Sequence, residues 1–345
     1  MAKLSGRTKG NYFLVIIWII CAFIDMYNGE NYGGIIYKFF VAAVFAVIAT
    51  YYLLIDFGKA KPITKRKEIW IGIVAIISAL AVTLVVIGNY SVETTKQNVK
   101  SKKIPASFNG FRIVQVSDLH NAKFDKYNST ILAPIFHSEP DIIVITGDMI
   151  DSRNTDVDVA VSFAQKAVNI APVYYVNGNH ESRVPEKYEE LKQGLVDAGV
   201  TVLENTSTDV TVGGETITLV GICDPTFRME LFDDNMKQNV AHQLANVLPE
   251  NDNYKILLSH RPEYFDIYAG KVDLVLSGHA HGGQIILPFV GGIVAPGQGF
   301  FPEYYSGPYT KENTVMLVSR GIGNSIFPFR INNKPEIVVA ELTKE

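Results

Sequence analysis

The chain has 345 residues, 48% of them hydrophobic and 19% charged, with a formal net charge of −4. That length holds two or three ordinary domains, and the composition excludes a disordered or collagen-like chain. Residues 1–104 carry thirteen Lys/Arg against five Asp/Glu and the remaining 241 carry eighteen against thirty, so the larger part is acidic and no nucleic acid is expected as a partner.

The first elements are apolar. Residues 11–24 carry no charge and end at Asp25. No small-residue cleavage site follows, so they read as a short or tilted span rather than a signal peptide. Residues 39–55 form a second uncharged stretch, with Lys38 placed to reach the headgroups and Tyr51 and Tyr52 near the other interface. Residues 69–92 are 24 residues without a charge or a polar stripe, against the roughly 20 that a crossing helix needs. Residues 1–92 are therefore expected to be a membrane region of two or three transmembrane helices, with the lipid bilayer as a partner. Lys59, Lys61, Lys65, Arg66 and Lys67 lie between the second and third stretches. The tail adds Lys3, Arg7 and Lys9, while residues 25–34 carry no positive charge. By the positive-inside rule the chain leaves its last span on the non-cytoplasmic side of the cell membrane. Residues 93–107, polar and Lys-rich with Pro105, read as a linker to a domain at 108–345.

Within that domain short β-branched runs alternate with helical spacing, the pattern of an α/β fold with helices covering sheet faces. The runs 111–116, 142–146, 173–176, 256–258 and 272–276 read as buried strands. Helices are expected over 157–169 and 186–198, and a hairpin at Gly213-Gly214. Each strand ends in polar residues: Asp118 and His120; Gly147-Asp148 and Asp151; Asn179 and His180; His260; His279 and His281. Five of the seven histidines fall there. Ligand crevices in open α/β sheets lie beyond carboxyl ends of strands, where residues distant in sequence converge. Taken singly, Asp118-x-His120 also reads as a helix-capping loop, and Gly147-Asp148-x-x-Asp151 as a turn followed by an N-cap. Oxygen and imidazole donors without thiolate suit Mn, Fe or Zn rather than a structural cysteine site. Cys21 and Cys223 are the only cysteines, too few for a disulfide framework.

The ordered set D-x-H, G-D-x-x-D, G-N-H-E, a lone His and G-H-x-H resembles the calcineurin-like metallophosphoesterases. The apolar N-terminal stretches, Ser319–Gly323 and Pro328-Phe-Arg330 look like a membrane-associated bacterial branch of that superfamily. The resemblance implies a four-layer αββα sandwich of mixed sheets and two divalent metal ions. One ion would be held by Asp118, His120, Asp148 and His281, and the other by Asp148, Asn179, His260 and His279. It also implies hydroxide attack on a phosphate ester or pyrophosphate, small or lipid-linked, with His180 at the phosphoryl group and leaving oxygen. Asp151 would orient His180 or a ligand, or simply cap a helix. The alternative is a non-catalytic membrane scaffold or receptor that retains the metal for structure. Such a relative would be expected to lose His180 or a bridging ligand, and none is lost here.

Other conspicuous residues carry less. His137 and His242 read as surface or packing residues. Arg320 and Arg330 either meet substrate phosphate or make ordinary ion pairs. Residues 284–310 hold five glycines and six Phe/Tyr without clear periodicity. They form either a rim that meets an apolar group or the bilayer, or a loop packed inertly on the sheet.

Overall fold

A computed structural model describes residues 4–28, 32–58, 64–126, 128–227, 236–324 and 330–345. Lys3, Lys59, Lys61 and Pro328-Phe329 of the sequence reading lie outside the described residues. The chain divides into two compact units, Met1–Ser91 with Lys123–Ser129, and Val92–Ala122 with Thr130–Glu345.

The first unit is built on helices α1 (Gly6–Asn28), α2 (Tyr32–Asp56) and α3 (Lys65–Tyr90). By length and composition α1 and α2 could each cross a bilayer, over Gly6–Ile24 and Tyr37–Asp56. They run antiparallel. The Ser5 backbone N–H and the Thr8 hydroxyl both donate to Asp56 Oδ2, at 2.8 and 2.6 Å, so a carboxylate sits at the positive end of α1. Edge-to-face pairs Trp18–Tyr37 and Phe23–Phe39, with centroids 6.5 and 5.7 Å apart, fix the register. Phe13, Val47 and Leu84 are exposed. α3 is one unbroken helix whose stretch Ile76–Tyr90 is apolar.

The second unit contains strands β1 (Glu93–Ser101), β2 (Arg112–Val116), β3 (Ile142–Thr146), β4 (Val173–Val176), β5 (Thr201–Val202), β6 (Thr206–Val212), β7 (Glu215–Gly221), β8 (Tyr254–Leu258) and β9 (Leu274–Ser277). The two-residue strands β10 (Ile286–Leu287), β11 (Gly291–Gly292), β12 (Val294–Ala295) and β13 (Gly299–Phe300) follow, then β14 (Gly307–Lys311), β15 (Thr314–Val318) and β16 (Glu336–Lys344). Helices α4 (Ser129–His137), α5 (Val157–Ala167), α6 (Asn179–Ser182), α7 (Pro185–Asp197), α8 (Met236–Val247) and α9 (Phe265–Tyr268) fill the connections. Two six-stranded sheets result, ordered β1-β16-β2-β3-β4-β5 and β14-β15-β9-β8-β7-β6. Both are mixed: β2 to β5 are parallel, and so are β7, β8, β9 and β15, with antiparallel pairings at β16–β2, β14–β15 and β6–β7.

The sheets face each other across one core. Ile113, Ile142, Val144 and Val176 from the first pack with Leu219, Ile256, Leu274 and Leu317 from the second. On the far side of the second sheet, Leu257, Val275 and Val318 pack on Val240 and Leu244 of α8 and Phe265 and Tyr268 of α9. In the first sheet Val114, Ile143 and Ile145 alternate with the inward residues and are also fully buried, so its outer face is covered too. α4, α5 and α7 lie in its crossovers and bury Ile131, Ile135, Phe163 and Leu191. This is the expected α/β sandwich of mixed sheets.

Residues 93–107 begin with a strand where a linker was expected. β1 pairs with β16 in parallel over nine residues, Glu93 opposite Glu336 through Ser101 opposite Lys344. It is an edge strand with most side chains in solvent and only Val99 buried, so its polar composition hides the pairing.

Candidate active site

The carboxyl ends of the central strands of both sheets meet. Gln115 Nε2 bridges them, donating to Thr146 Oγ1 at 3.0 Å and to the Ser277 carbonyl at 2.8 Å. The loops leaving β2, β3 and β9 turn sharply at that point. Asp118, His120, Asp148, His279 and His281 all take positive φ, between 45° and 66°. Non-glycine residues visit this region at a cost, and such strain concentrates where side chains must be aimed. The approach is too close for larger residues: a Cβ at Gly147, itself at φ +91°, would lie 2.7 Å from His260 Nδ1.

Three groups of possible ligand atoms converge: Asp118, His120 and His281; His120, Asp148 and His180; and Asp148, His260 and His279. Within each group the atoms lie within 4.8 Å of one another, and all these residues are buried. His120 Nε2 is 3.2 Å from His281 Nε2 and 3.6 Å from Asp148 Oδ2. His281 Nε2 is 3.4 Å from Asp118 Oδ1. His260 Nε2 is 3.2 Å from Asp148 Oδ2, 3.2 Å from Asn179 Oδ1 and 3.1 Å from His279 Nδ1. Asp148 stands between the two halves. Buried imidazole nitrogens turned on one another beside two carboxylates are a poor hydrogen-bonding arrangement but a fitting donor set for cations.

The electrostatics agree for His120, His279 and His281. Burial pushes the Asp118 carboxyl up to about 6, against the pull of His260, and the charge on Asp148 raises it further. Burial drives His120 down to about 3, and His279 and His281 well below the ordinary imidazole value, so these rings are neutral, as ligation requires. His260 differs: burial lowers it, but Asp148 and Asp118 overcome this and hold it at about 10. Its Nδ1 lies 2.7 Å from the Thr146 carbonyl, a hydrogen bond that leaves Nε2 facing the site.

His180 stands at the rim of this cluster. Its backbone N–H donates to Asp148 Oδ1 at 2.8 Å, and its ring stacks edge-on to His120 with centroids 4.5 Å apart. The Ser152 backbone N–H donates to His180 Nδ1 at 3.1 Å. In the neutral ring this puts the proton on Nε2. Asp151 Oδ1 is 3.8 Å from the same Nδ1, beyond hydrogen-bond length. Both Asp151 oxygens are instead engaged by Arg153, through its backbone N–H at 2.8 Å and its guanidinium at 3.2 and 2.8 Å. Asp151 does not cap α5, whose N-cap is Asp156.

Glu181 closes the G-N-H-E motif. Its buried carboxylate accepts four backbone N–H groups, from Asp148 at 3.0 Å, Met149 at 2.7 Å, Ile150 at 3.2 Å and Gly178 at 2.8 Å. It ties the β3 loop to the β4 loop. Burial and the Asp148 charge push this carboxyl up to about 8, while the four donors favour its ionised form. The only signal in the sequence was an acidic residue in an otherwise sufficient turn. Arg330 is fully buried, donating to the carbonyls of Arg320 and Gly323 at 2.7 and 2.5 Å, with Nη2 3.4 Å from His281 Nδ1. Arg320 pairs with Glu93 and Glu336 at 2.8 and 3.0 Å. His137 and His242 are exposed, away from the site.

Residues 284–310 divide in two. Tyr304 packs edge-on to Phe265 and Tyr309, centroids 5.8 and 5.0 Å away, and lies inertly against the sandwich. Around the short strands β10 to β13 three phenylalanines reach solvent: Phe289 is fully exposed, and Phe300 and Phe301 are 77% and 66% exposed.

Residues 111–283 match the family model of the calcineurin-like phosphoesterases. The chain belongs to that family. It is 34% identical over 261 residues to the uncharacterized metallophosphoesterase YkuE of Bacillus subtilis (strain 168), covering 73% of this chain and 86% of that protein. The phosphodiesterase YaeI of Escherichia coli (strain K12) is 29% identical over 237 residues, 67% of this chain and 82% of the other. A crystal structure of phosphopantetheinyl hydrolase from Mycobacterium tuberculosis superposes with TM-score 0.38 at 14% identity, covering 62% of this chain and 91% of that one. As a calcineurin-like phosphoesterase with these triads, the protein is a metal-dependent phosphoric ester hydrolase with a dinuclear divalent-metal site. The enzyme reading therefore stands over the scaffold.

Proposed function

We propose that Asp118, His120, Asp148 and His281 hold one ion and Asp148, Asn179, His260 and His279 the other, Asp148 being shared. When bound, the pair supplies positive charge for the phosphoryl oxygens and lowers the pKa of water, so that hydroxide is available near neutral pH. The chain's own residues do the rest. Asp148, between the two ligand groups, offsets repulsion between the cations. His180 presents Nε2–H as a hydrogen-bond donor to the phosphoryl group and the leaving oxygen, stabilising the charge that develops there while water supplies the proton. Ser152 keeps the proton on Nε2 through its hydrogen bond to Nδ1. Asp151 acts at one remove, fixing Arg153 and the turn that delivers the Ser152 N–H. The observation that carries this reading is the convergence of donors from five strand ends on one buried point.

The substrate is a phosphodiester or pyrophosphate, lipid-linked, met at the non-cytoplasmic surface of the cell membrane. Supporting this are the two apolar helices of spanning length, the apolar stretch in α3 and the diesterase activity in the name of the E. coli relative. The exposed Phe289, Phe300 and Phe301 would meet the apolar part of such a substrate or the bilayer itself. The first test uses the full chain in nanodiscs with Mn(II). Bis-p-nitrophenyl phosphate should be hydrolysed faster than p-nitrophenyl phosphate, and activity should vanish with chelator; chelator-resistant turnover would refute the site. The second replaces Phe289, Phe300 and Phe301 by serine. A long-chain alkyl p-nitrophenyl phosphodiester should lose more turnover than the bis-p-nitrophenyl ester, and equal losses would remove the rim from the argument. Accessibility of tags at the two chain ends tests the topology.

A further inference from the structure

We infer that Glu263 is the positioning residue for His279, holding its ring in the ligating orientation and serving only the ion bound by His260 and His279. The inference rests on the dinuclear reading above. His279 turns Nδ1 inward, 3.1 Å from His260 Nε2, and its backbone N–H donates to both Asp118 oxygens at 3.2 and 3.1 Å. A ring that ligates through Nδ1 carries its proton on Nε2. Nε2 of His279 is buried and has no hydrogen-bond partner among the described residues. The carboxylate facing it is Glu263, whose Oε1 lies 3.9 Å away, about 1 Å beyond hydrogen-bond length.

Glu263 is built to stay there. It follows His260 by three residues, on the short 3₁₀ turn Pro262–Tyr264 that leaves β8. Arg261 Nη1 reaches its Oε1 at 3.3 Å, while Arg261 itself is fastened to Asp224 through Nε at 2.6 Å. On the other side Gly297 leaves room for the carboxylate: a Cβ there would lie 2.3 Å from Oε1. Glu263 Oε2 is likewise buried without a partner among the described residues. A buried donor without a partner thus faces a carboxylate that has one oxygen held by Arg261 and the other buried and unsatisfied. Ligand histidines usually give their second N–H to such an acceptor, as His260 gives its own to Thr146.

The test uses the full chain in detergent, titrated with Mn(II) by calorimetry and followed by the electron-spin signature of a coupled Mn pair. Glu263→Leu should weaken one of the two ions about 10–100-fold and remove the coupled signal, leaving the other ion's affinity unchanged. Glu263→Gln keeps the shape and an acceptor oxygen, so it should fall between Glu263→Leu and wild type. Adding Glu263→Leu to His279→Ala should weaken binding no further than His279→Ala alone. Wild-type affinity for both ions in Glu263→Leu overturns the inference, and so does equal weakening of both, the mark of a merely structural residue. Should Glu263→Leu fail to fold, Glu263→Gln decides by the same readouts. A wild-type protein that binds no ion pair refutes the dinuclear reading itself, a separate and recognisable result.

Discussion

Glu181→Gln tests whether one buried carboxylate fastens the two loops that carry Asp148, Asn179 and His180. In the native site one oxygen accepts from Met149 and Ile150 and the other from Asp148 and Gly178. Glutamine offers one oxygen and one amide. Whichever way it turns, two backbone N–H groups lose their acceptor and face another donor. Above about pH 8, where this carboxyl is ionised, hydrogen bonds to the charged acceptor contribute about 1.5–3 kcal/mol each, so two of them set a ceiling of roughly 3–6 kcal/mol. The neutral side chain also escapes the burial cost that raises the Glu181 carboxyl, which brings the net loss to about 2–4 kcal/mol. At 1.36 kcal/mol per tenfold, that is roughly 30- to 1,000-fold faster amide exchange. The assay is hydrogen–deuterium exchange by mass spectrometry on peptides spanning 147–151 and 178–182, with Mn(II) affinity measured alongside. Protection within about threefold of wild type, together with unchanged affinity, would show that the loops hold themselves.

His180→Ala should retain both ions by metal analysis yet lose about 10²- to 10³-fold in turnover, the range for a positioned hydrogen-bond donor to developing charge; full activity would refute its role. Asp148→Asn should abolish turnover together with metal pairing, because the oxygen shared by the two ligand groups loses its charge. Glu93→Gln tests the β1 edge. Arg320 beside Glu93 holds that carboxyl below its ordinary value of 4.5, so the pair contributes stability above that pH and loses it as pH falls through the lowered value. The Glu93 side chain is 46% exposed, so the loss should be only about 0.5–1 kcal/mol, read as faster exchange in β1 with a flatter acid limb.

Much of the catalytic unit was legible because its signals are local. β3 and β4 run as expected, α5 and α7 lie within two residues of the expected helices, and the hairpin turns at Gly213-Gly214. Runs such as Ile142–Thr146 are buried on both faces, and continuous β-branched residues announce that state. The ligand residues were legible because Asp, Asn and His at strand ends have no packing reason to gather. Partnerships set by tertiary distance were not legible. β1 is specified by β16, more than two hundred residues away, and its exposed side chains give no apolar period. Ser152 acts through its main-chain N–H, with its hydroxyl 3.2 Å from the same ring nitrogen, a contact set by the tertiary approach of two loops. Asp151 is drawn off by Arg153, two residues on, a competition visible only once both side chains have positions.

The β1–β16 pairing also bears on how the protein is made. In the first sheet β16 lies between β1 and β2, so β1 has no native neighbour and β2 has only β3 until the ribosome has added about 220 further residues beyond Val116. Sheet closure is then a late, long-range event, slow by its topology. Throughout elongation the nascent polypeptide lacks the strand that would lock it.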